Sequence, residues 1–279
     1  MVELSRPGGG SNAEIARAKI NLALHVRGRM ADGYHRLETI FAFAEFGDRL
    51  EAQSSTDIEL ELRGPFAGDL DAGPDNLVRK AAELLRTHSG TLAGVKLILD
   101  KRLPVAAGLG GGSADAAAAL RLLVRWWKLE VEAGALARIA ADLGADVPAC
   151  LDGRPTRGEG RGDALSPFPS EGLTGKPVLL VNPGVALTTS EVFARWDGID
   201  RGPLGDWRAG RNDLTLPAIQ CVPMIETVLD SLGRAEIARM SGSGASCFGL
   251  YATIADRDAD AMDIGNARPG WWTAVSRLA

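Results

Sequence analysis

The run Gly108-Leu109-Gly110-Gly111-Gly112-Ser113 stands directly before an alanine-rich stretch, and no other part of the chain constrains its folding as much. Glycine reaches positive φ at little steric cost and lets a bulky group approach main-chain N–H donors. The adjoining residues Ala114, Ala116 to Ala119, Leu120, Leu122, Leu123, Trp126 and Trp127 have strong helix composition. Ser113 is the expected N-cap of that helix. A helix start offers unpaired N–H groups and the positive end of the peptide dipole, so the segment reads as a phosphate site. Two common forms of such a site do not match. No lysine precedes Ser113, as a Walker loop needs, and the third glycine of a dinucleotide fingerprint is replaced by Ser113. The plain alternative is a turn that needs only flexibility. Asp115 suits the dipole but competes with phosphate. On sequence it faces either away from an anion or toward a metal.

Around this loop the pattern mixes strands and helices. Residues 15–26 alternate, with Ile20, Leu22 and Leu24 on one face and Lys19, Asn21 and Ala23 on the other, which predicts a strand. Taken alone, Lys19 and Asn21 belong to a solvent face. Asp32-Gly33 signals a turn. Strands are predicted over 37–46, 58–63 and 95–99, with 49–54 extending the sheet. Asp75 is the expected cap of a helix through Leu77, Ala81, Leu84 and Leu85. A helix over 132–143 stops at Gly144. Residues 147–151 read as a short strand, and 152–162, rich in Gly, Arg and Pro, as an active-site loop near a domain boundary. Beyond it come a strand at 178–181, a short helix at 190–196 and a helix at 216–232 that Pro223 breaks. A strand–loop–strand at 239–251, a helix at 256–266 and a strand at 271–276 complete the chain. With no regular βα repeat, the class is α+β. The length predicts two domains, placed at 1–157 and 158–279.

Hydrophobic residues make up 46% and charged residues 24%, with a net charge of -5. That is an ordinary globular balance, and without a basic stripe it gives no sign of a nucleic-acid partner. The best membrane candidate, 105–124, is broken by glycines, Asp115 and Arg121. Cys150, Cys221 and Cys247 are odd in number, widely spaced and set among apolar neighbours, which predicts thiols rather than disulfides or a metal site. Residues 1–10 lack the basic start and apolar core of a secretory signal. They read as a short flexible tail, and the expected location is the cytoplasm.

Three segments together resemble the superfamily of galactokinase, homoserine kinase, mevalonate kinase and phosphomevalonate kinase. They are Ala18-Lys19-Ile20-Asn21-Leu22, then Leu103-Pro104 through Gly108–Ala116, and Met240-Ser241-Gly242-Ser243-Gly244-Ala245-Ser246. Within that superfamily the chain is similar to the kinases that act on 4-diphosphocytidyl-2-C-methyl-D-erythritol in the non-mevalonate isoprenoid pathway. The residues that carry this are Asp32-Gly33-Tyr34-His35, Leu143-Gly144-Ala145-Asp146-Val147-Pro148, Asn182-Pro183 leading to Thr189-Ser190-Glu191-Val192-Phe193, and Asn212-Asp213-Leu214. The resemblance implies the two-domain GHMP kinase fold, with a left-handed βαβ element in the N-terminal domain and a ferredoxin-like C-terminal domain. It also implies ATP and Mg²⁺, a monomer or homodimer, and no nucleic-acid or membrane partner. The alternatives are a sister kinase for homoserine, mevalonate or phosphomevalonate, or a catalytically silent sensor on the same fold.

The same resemblance implies the residue roles. Asp146 is the general base; on sequence alone it is equally a turn aspartate. Lys19 pairs with Asp146, lowers its pKa and neutralises the transferring group, while Asn21 orients the acceptor hydroxyl. Tyr34 and His35 read the cytosine by stacking and hydrogen bonds. Phe193 closes the other side of that sandwich, although a phenylalanine in a short helix is more often core. Thr189 contacts the methylerythritol or its phosphates. Pro104, Val105, Ala106, Ala107, Gly108, Leu109, Gly110, Gly111, Gly112, Ser113 and Ala114 bind ATP, with Ser113 helping to hold Mg²⁺. Ser241, Gly242, Ser243 and Gly244 form a backbone wall behind the phosphates. Arg154, Arg157 and Arg161 read first as a solvated loop, with attraction of phosphates as the alternative, and carry no catalytic role.

Overall fold

The structure, a computed structural model, describes residues 12–279, so the tail read at 1–10 lies outside the described residues. β1 (Ala13–Arg29) is the alternating strand, but from Ala18 to Val26 it is buried on both faces. Lys19 and Asn21 therefore do not lie on a solvent face. The Asp32-Gly33 turn leads into β2 (His35–Gln53), one strand where the sequence suggests two. β3 (Ile58–Arg63) comes next, then α1 (Leu77–Ser89). The cap of α1 is Asn76, whose side chain accepts the Val78 N–H at 2.9 Å, whereas Asp75 pairs with Lys80 at 2.9 Å. β4 (Val95–Asp100), α2 (Gly111–Trp126) and α3 (Ala133–Leu143) match their segments.

The structure corrects two expectations in the middle of the chain. Residues 147–152 form a helix, α4 (Val147–Asp152), not a strand. Pro148 in its first turn has φ preset for a helix and lacks only an N–H that no helical carbonyl would accept. Six residues are too few for periodicity to separate the two forms. The supposed loop at 152–162 contains β5 (Thr156–Gly160), followed by β6 (Ala164–Pro167). One of its glycines has a packing cause, since a Cβ on Gly158 would stand 2.8 Å from the Phe41 ring, while Gly153, Gly160 and Gly162 take positive φ.

The remaining elements are β7 (Pro177–Asn182), α5 (Thr189–Ala194), α6 (Thr215–Cys221), α7 (Met224–Ser231), β8 (Ile237–Met240), β9 (Cys247–Leu250), α8 (Ile254–Ala267) and β10 (Trp272–Arg277). Pro223 does separate α6 from α7. No described helix is long and apolar enough to cross a membrane. Among the described residues, Cys150, Cys221 and Cys247 form no disulfide.

The chain divides into two compact units that alternate along it. One holds the described residues up to Arg17, with Gly47–Val105 and Gly111–Gly153; the other holds Ala18–Phe46, Ala106–Gly110 and Arg154–Ala279. In the first, β3 runs parallel to β4 with α1 between them in sequence, and β4 pairs antiparallel with the end of β2, Arg49 opposite Asp100. α2 is buried on nearly all sides, Ala116 to Ala119 being wholly inaccessible, and packs on α1, α3 and α4. Alanine combines high helix propensity with the small size that such close approach needs. In the second unit, the start of β2 pairs with β5, and β5 with β6. A separate antiparallel sheet runs β10-β7-β9-β8. Leu24 and Val26 of β1 join Leu179, Val181, Val192, Ile225 and Met240 in its core. The mixture is α+β, as the pattern predicts.

Candidate active site

The second unit gathers most of the expected site residues around the loop 106–110. The Lys19 N–H donates to the Leu109 carbonyl at 2.9 Å, so β1 holds the loop by its backbone. The Ser246 N–H donates to the Ala107 carbonyl at 3.1 Å, and the Ser241 hydroxyl donates to the Gly108 carbonyl at 2.9 Å. The same hydroxyl accepts the Asn21 N–H at 3.2 Å. One buried serine thus joins the strand, the loop and the small-residue turn.

Glycine is required in this contact. A Cβ on Gly108 would stand 2.3 Å from the Ser241 carbonyl oxygen, and Gly108 has φ +76°. A Cβ on Gly110 would stand 2.8 Å from Lys19 Cε. The two glycines keep the loop pressed onto the turn and onto the Lys19 side chain.

Lys19 is 4% exposed. Its ammonium donates to Asn21 Oδ1 at 3.0 Å and lies 5.1 Å from the Phe41 ring centroid. The Asn21 amide donates to Thr39 Oγ1 at 2.8 Å, and Thr39 donates to the Ala23 carbonyl at 2.7 Å. This chain fixes which end of the amide faces the lysine and leaves Asn21 one further N–H. Thr39 carries no sequence signal; it is found only because β2 lies beside β1.

Thr189 opens α5 and its hydroxyl lies 2.9 Å from that of Ser243, which brings these two expected residues together. Asn182 and Asn212 serve the turn. Asn182 donates to Ser246 Oγ at 2.9 Å; Asn212 donates to the Met240 and Gly242 carbonyls at 2.8 Å each. Asp213 accepts the Val26 N–H at 2.9 Å.

Tyr34 and His35 take different surroundings. Tyr34 is 58% exposed on the β1–β2 turn. His35 stacks on Phe193, with ring centroids 4.5 Å apart, and meets Trp196 edge-on at 5.4 Å. Burial, helped by Arg29, lowers the His35 pKa, so its imidazole is neutral at pH 7. Phe193 is half-buried against the core of this unit and reaches the site through His35. Arg157 hydrogen-bonds Glu38 and the Leu204 carbonyl, a structural engagement.

In the first unit, α2 begins at Gly111, after the left-handed Gly110 (φ +61°). Ser113 therefore lies inside the first turn and is not the N-cap. Glycine needs no side-chain cap to turn here, and the first turn of α2 keeps N–H groups that the helix itself does not use. Asp146 occupies the position before α4 in αR geometry.

Asp115 is resolved by a residue the sequence passes over. Its Oδ2 accepts the buried Lys101 ammonium at 2.7 Å, and Lys101 also donates to Asp48 at 2.5 Å. Asp48 Oδ1 further accepts the Arg102 and Leu103 N–H groups at 2.6 and 2.8 Å. A Cβ on Gly111 would stand 2.9 Å from Lys101 Nζ, so that glycine seats the lysine under the start of α2. Burial holds the Asp115 carboxyl well above the usual range, with Lys101 acting against the shift and Asp48 adding to it. Burial opposes the Lys101 charge, but its two carboxylates outweigh it and raise its pKa. Asp115 is thus engaged by Lys101. In sequence Lys101 lies within Asp100-Lys101-Arg102, which looks like exposed charge.

Known proteins resemble this chain. Residues 76–154 match the model of the GHMP kinases N terminal domain, and residues 198–267 that of GHMP kinases C terminal. The chain is 53% identical over 276 residues to a 4-diphosphocytidyl-2-C-methyl-D-erythritol kinase of Rhizorhabdus wittichii, covering 95% of this chain and 94% of the relative. It is 48% identical over 276 residues to the protein of that name from Sphingopyxis alaskensis, covering 95% and 98%. A crystal structure of 4-(cytidine 5'-diphospho)-2C-methyl-D-erythritol kinase superposes with a TM-score of 0.81 at 34% identity, covering 95% of this chain and 99% of that one.

Proposed function

The chain belongs to the 4-diphosphocytidyl-2-C-methyl-D-erythritol kinases, a branch of the GHMP kinases, and on that premise we infer that it transfers the γ-phosphoryl group of ATP to the 2-hydroxyl of 4-diphosphocytidyl-2-C-methyl-D-erythritol. The products are the 2-phosphate and ADP, within the non-mevalonate isoprenoid pathway. The observation that carries this reading on the structure is the Ser241 hydroxyl, which ties the Lys19–Asn21 strand to the glycine loop.

Phosphoryl transfer asks little covalent chemistry of a protein; catalysis is positioning and charge stabilisation. The N–H groups at the start of α2 and the loop 104–114 hold the nucleotide phosphates. Lys19, aimed by Asn21, neutralises charge that develops on the transferring group. Asn21 keeps one N–H for the acceptor oxygen. Asp146 takes the proton of the 2-hydroxyl as that oxygen bonds to the γ-phosphorus and ADP leaves. Thr189 and Ser243 contact the polar acceptor, while Tyr34, His35 and Phe193 form its base subsite, with His35 neutral and so able to accept or donate one hydrogen bond at each nitrogen.

Among the described residues no group of three His, Cys, Asp or Glu side chains could hold a metal. Mg²⁺ is commonly bound through substrate phosphates and waters with few protein ligands. The Ser113 hydroxyl fits that limited part, whereas Asp115 is engaged by Lys101. When bound, Mg²⁺ supplies charge neutralisation on the β- and γ-phosphates. We place the reaction in the cytoplasm, where ATP is supplied.

The test is incubation with ATP, Mg²⁺ and each of the cytidine compound, homoserine and mevalonate, with ADP release and product mass as readouts. Phosphorylation of the cytidine compound alone is expected; phosphorylation of mevalonate in its place sinks the assignment. Asp146→Asn is expected to lower kcat about 10²–10⁴-fold with the fold intact. Unchanged turnover would remove Asp146 as the base.

A further inference from the structure

The turn between β5 and β6 carries an arginine that the reaction as described leaves unused. Arg161 Cζ lies 4.1 Å from the centroid of the Tyr34 ring. Its Nη2 donates to Asp32 Oδ2 at 2.5 Å, and Asp32 Oδ1 accepts the N–H of Tyr34 at 3.0 Å. Ring, guanidinium, carboxylate and backbone thus form a closed loop. The Arg161 backbone is fixed as well, its N–H donating to Asp163 Oδ1 at 3.1 Å. The sheet explains the meeting. Leu37 of β2 pairs with Gly160 of β5, so the residues just before β2 and just after β5 share one end of an antiparallel pair. The Tyr34 N–H first, and Arg161 second, hold the Asp32 carboxyl below its ordinary range, so the anchor is charged at neutral pH.

A tyrosine that is 58% exposed on a turn ordinarily samples several rotamers. Stacking a base needs one of them, and each ordered rotor reduces affinity unless it is ordered beforehand. A guanidinium over one ring face supplies that order through cation–π attraction.

We propose that Arg161 is a positioning residue for the base of the acceptor: anchored by Asp32, it covers one face of the Tyr34 ring and presents the opposite face to the cytosine. This rests on Tyr34 being part of the base subsite. Arg161 then acts through Tyr34, on binding of the cytidine compound and not on ATP or the chemical step.

Steady-state kinetics of the full chain and its variants tests this. Arg161→Gln is expected to raise KM for the cytidine compound about threefold to tenfold, with kcat and KM for ATP unchanged. Arg161→Lys, which keeps a cation but not the planar fork, falls between. Tyr34→Ala raises the same KM by at least as much, and adding Arg161→Gln to Tyr34→Ala changes it no further. If Tyr34→Ala leaves KM unchanged, both the base subsite and this proposal fall. If Tyr34→Ala raises KM but Arg161→Gln does not, the subsite stands and the proposal falls. If the Arg161→Gln effect persists undiminished on Tyr34→Ala, Arg161 contacts the substrate directly and the proposal is equally overturned.

Discussion

At the residue scale, the most consequential group is the trio Asp48, Lys101 and Asp115. Asp48 receives three donors while Asp115 receives one and leaves its Oδ1 buried without a hydrogen-bond partner. The two carboxyls are therefore unequal. Asp48→Asn keeps an oxygen for the two backbone N–H groups but removes the counter-charge of a buried ammonium and sets an amide NH₂ against it, and is expected to cost about 3–5 kcal/mol in urea unfolding. Asp115→Asn replaces a carboxyl already pushed toward its neutral form and is expected to cost about 1 kcal/mol. Equal losses would contradict the assignment. His35 gives a second prediction. Its pKa is lowered by burial from 6.5, so the neutral ring persists below that pH. Because the folded value is depressed, the favourable contribution of His35 is present above pH 6.5 and is lost as pH falls through the lowered value. KM for the cytidine compound is therefore flat from pH 8 to about 6.5 and rises in more acid solution, in step with the His35 resonance in an NMR titration.

At the scale of elements, the phosphate loop distinguishes two kinds of glycine. Gly108 lies against the Ser241 carbonyl at positive φ, and a methyl group there must displace backbone. Gly112 meets only Leu77 Cδ1, at 3.6 Å. Gly112→Ala is expected to keep the melting temperature within a few degrees and, on the proposed role of the loop in holding nucleotide, to raise KM for ATP. Gly108→Ala is expected to lose both stability and at least about 10²-fold in activity, since a misplaced phosphate loop has such costs. Most elements were legible because each carries a period, a cap or a stop: the alternation of 19–24, the alanine run of α2, Gly144 after α3, Pro223 between α6 and α7. The two segments assigned the wrong form share one cause. At 147–152 and 156–160 the segments are short, and their composition answers to packing. Gly158 makes room for Phe41, and Pro148 starts a helix of six residues. For the site, chain-local motifs marked Lys19, Asn21, the glycine loop and the Ser241 turn. Thr39 and Lys101 were invisible because their meaning lies in partners 18 and 53 residues away, Asn21 and Asp48.

At the scale of the molecule, the two units alternate along the chain. The unit that holds residues 154–279 also contains Ala18–Phe46. Expressed alone, residues 154–279 lack Leu24 and Val26 from their core and the β2 partner of β5. That fragment is expected to give poorly dispersed NMR spectra and no cooperative melt, while the full chain melts cooperatively. The serine that joins β1, the glycine loop and the turn has a further consequence, in the order of synthesis. Ser241 reaches its partners across 220 residues to Asn21 and 133 to Gly108. Contacts so distant in sequence close late and slowly. A nascent chain can therefore fold the alanine helix long before it can bind nucleotide productively, and kinase activity switches on only when nearly the whole chain has left the ribosome.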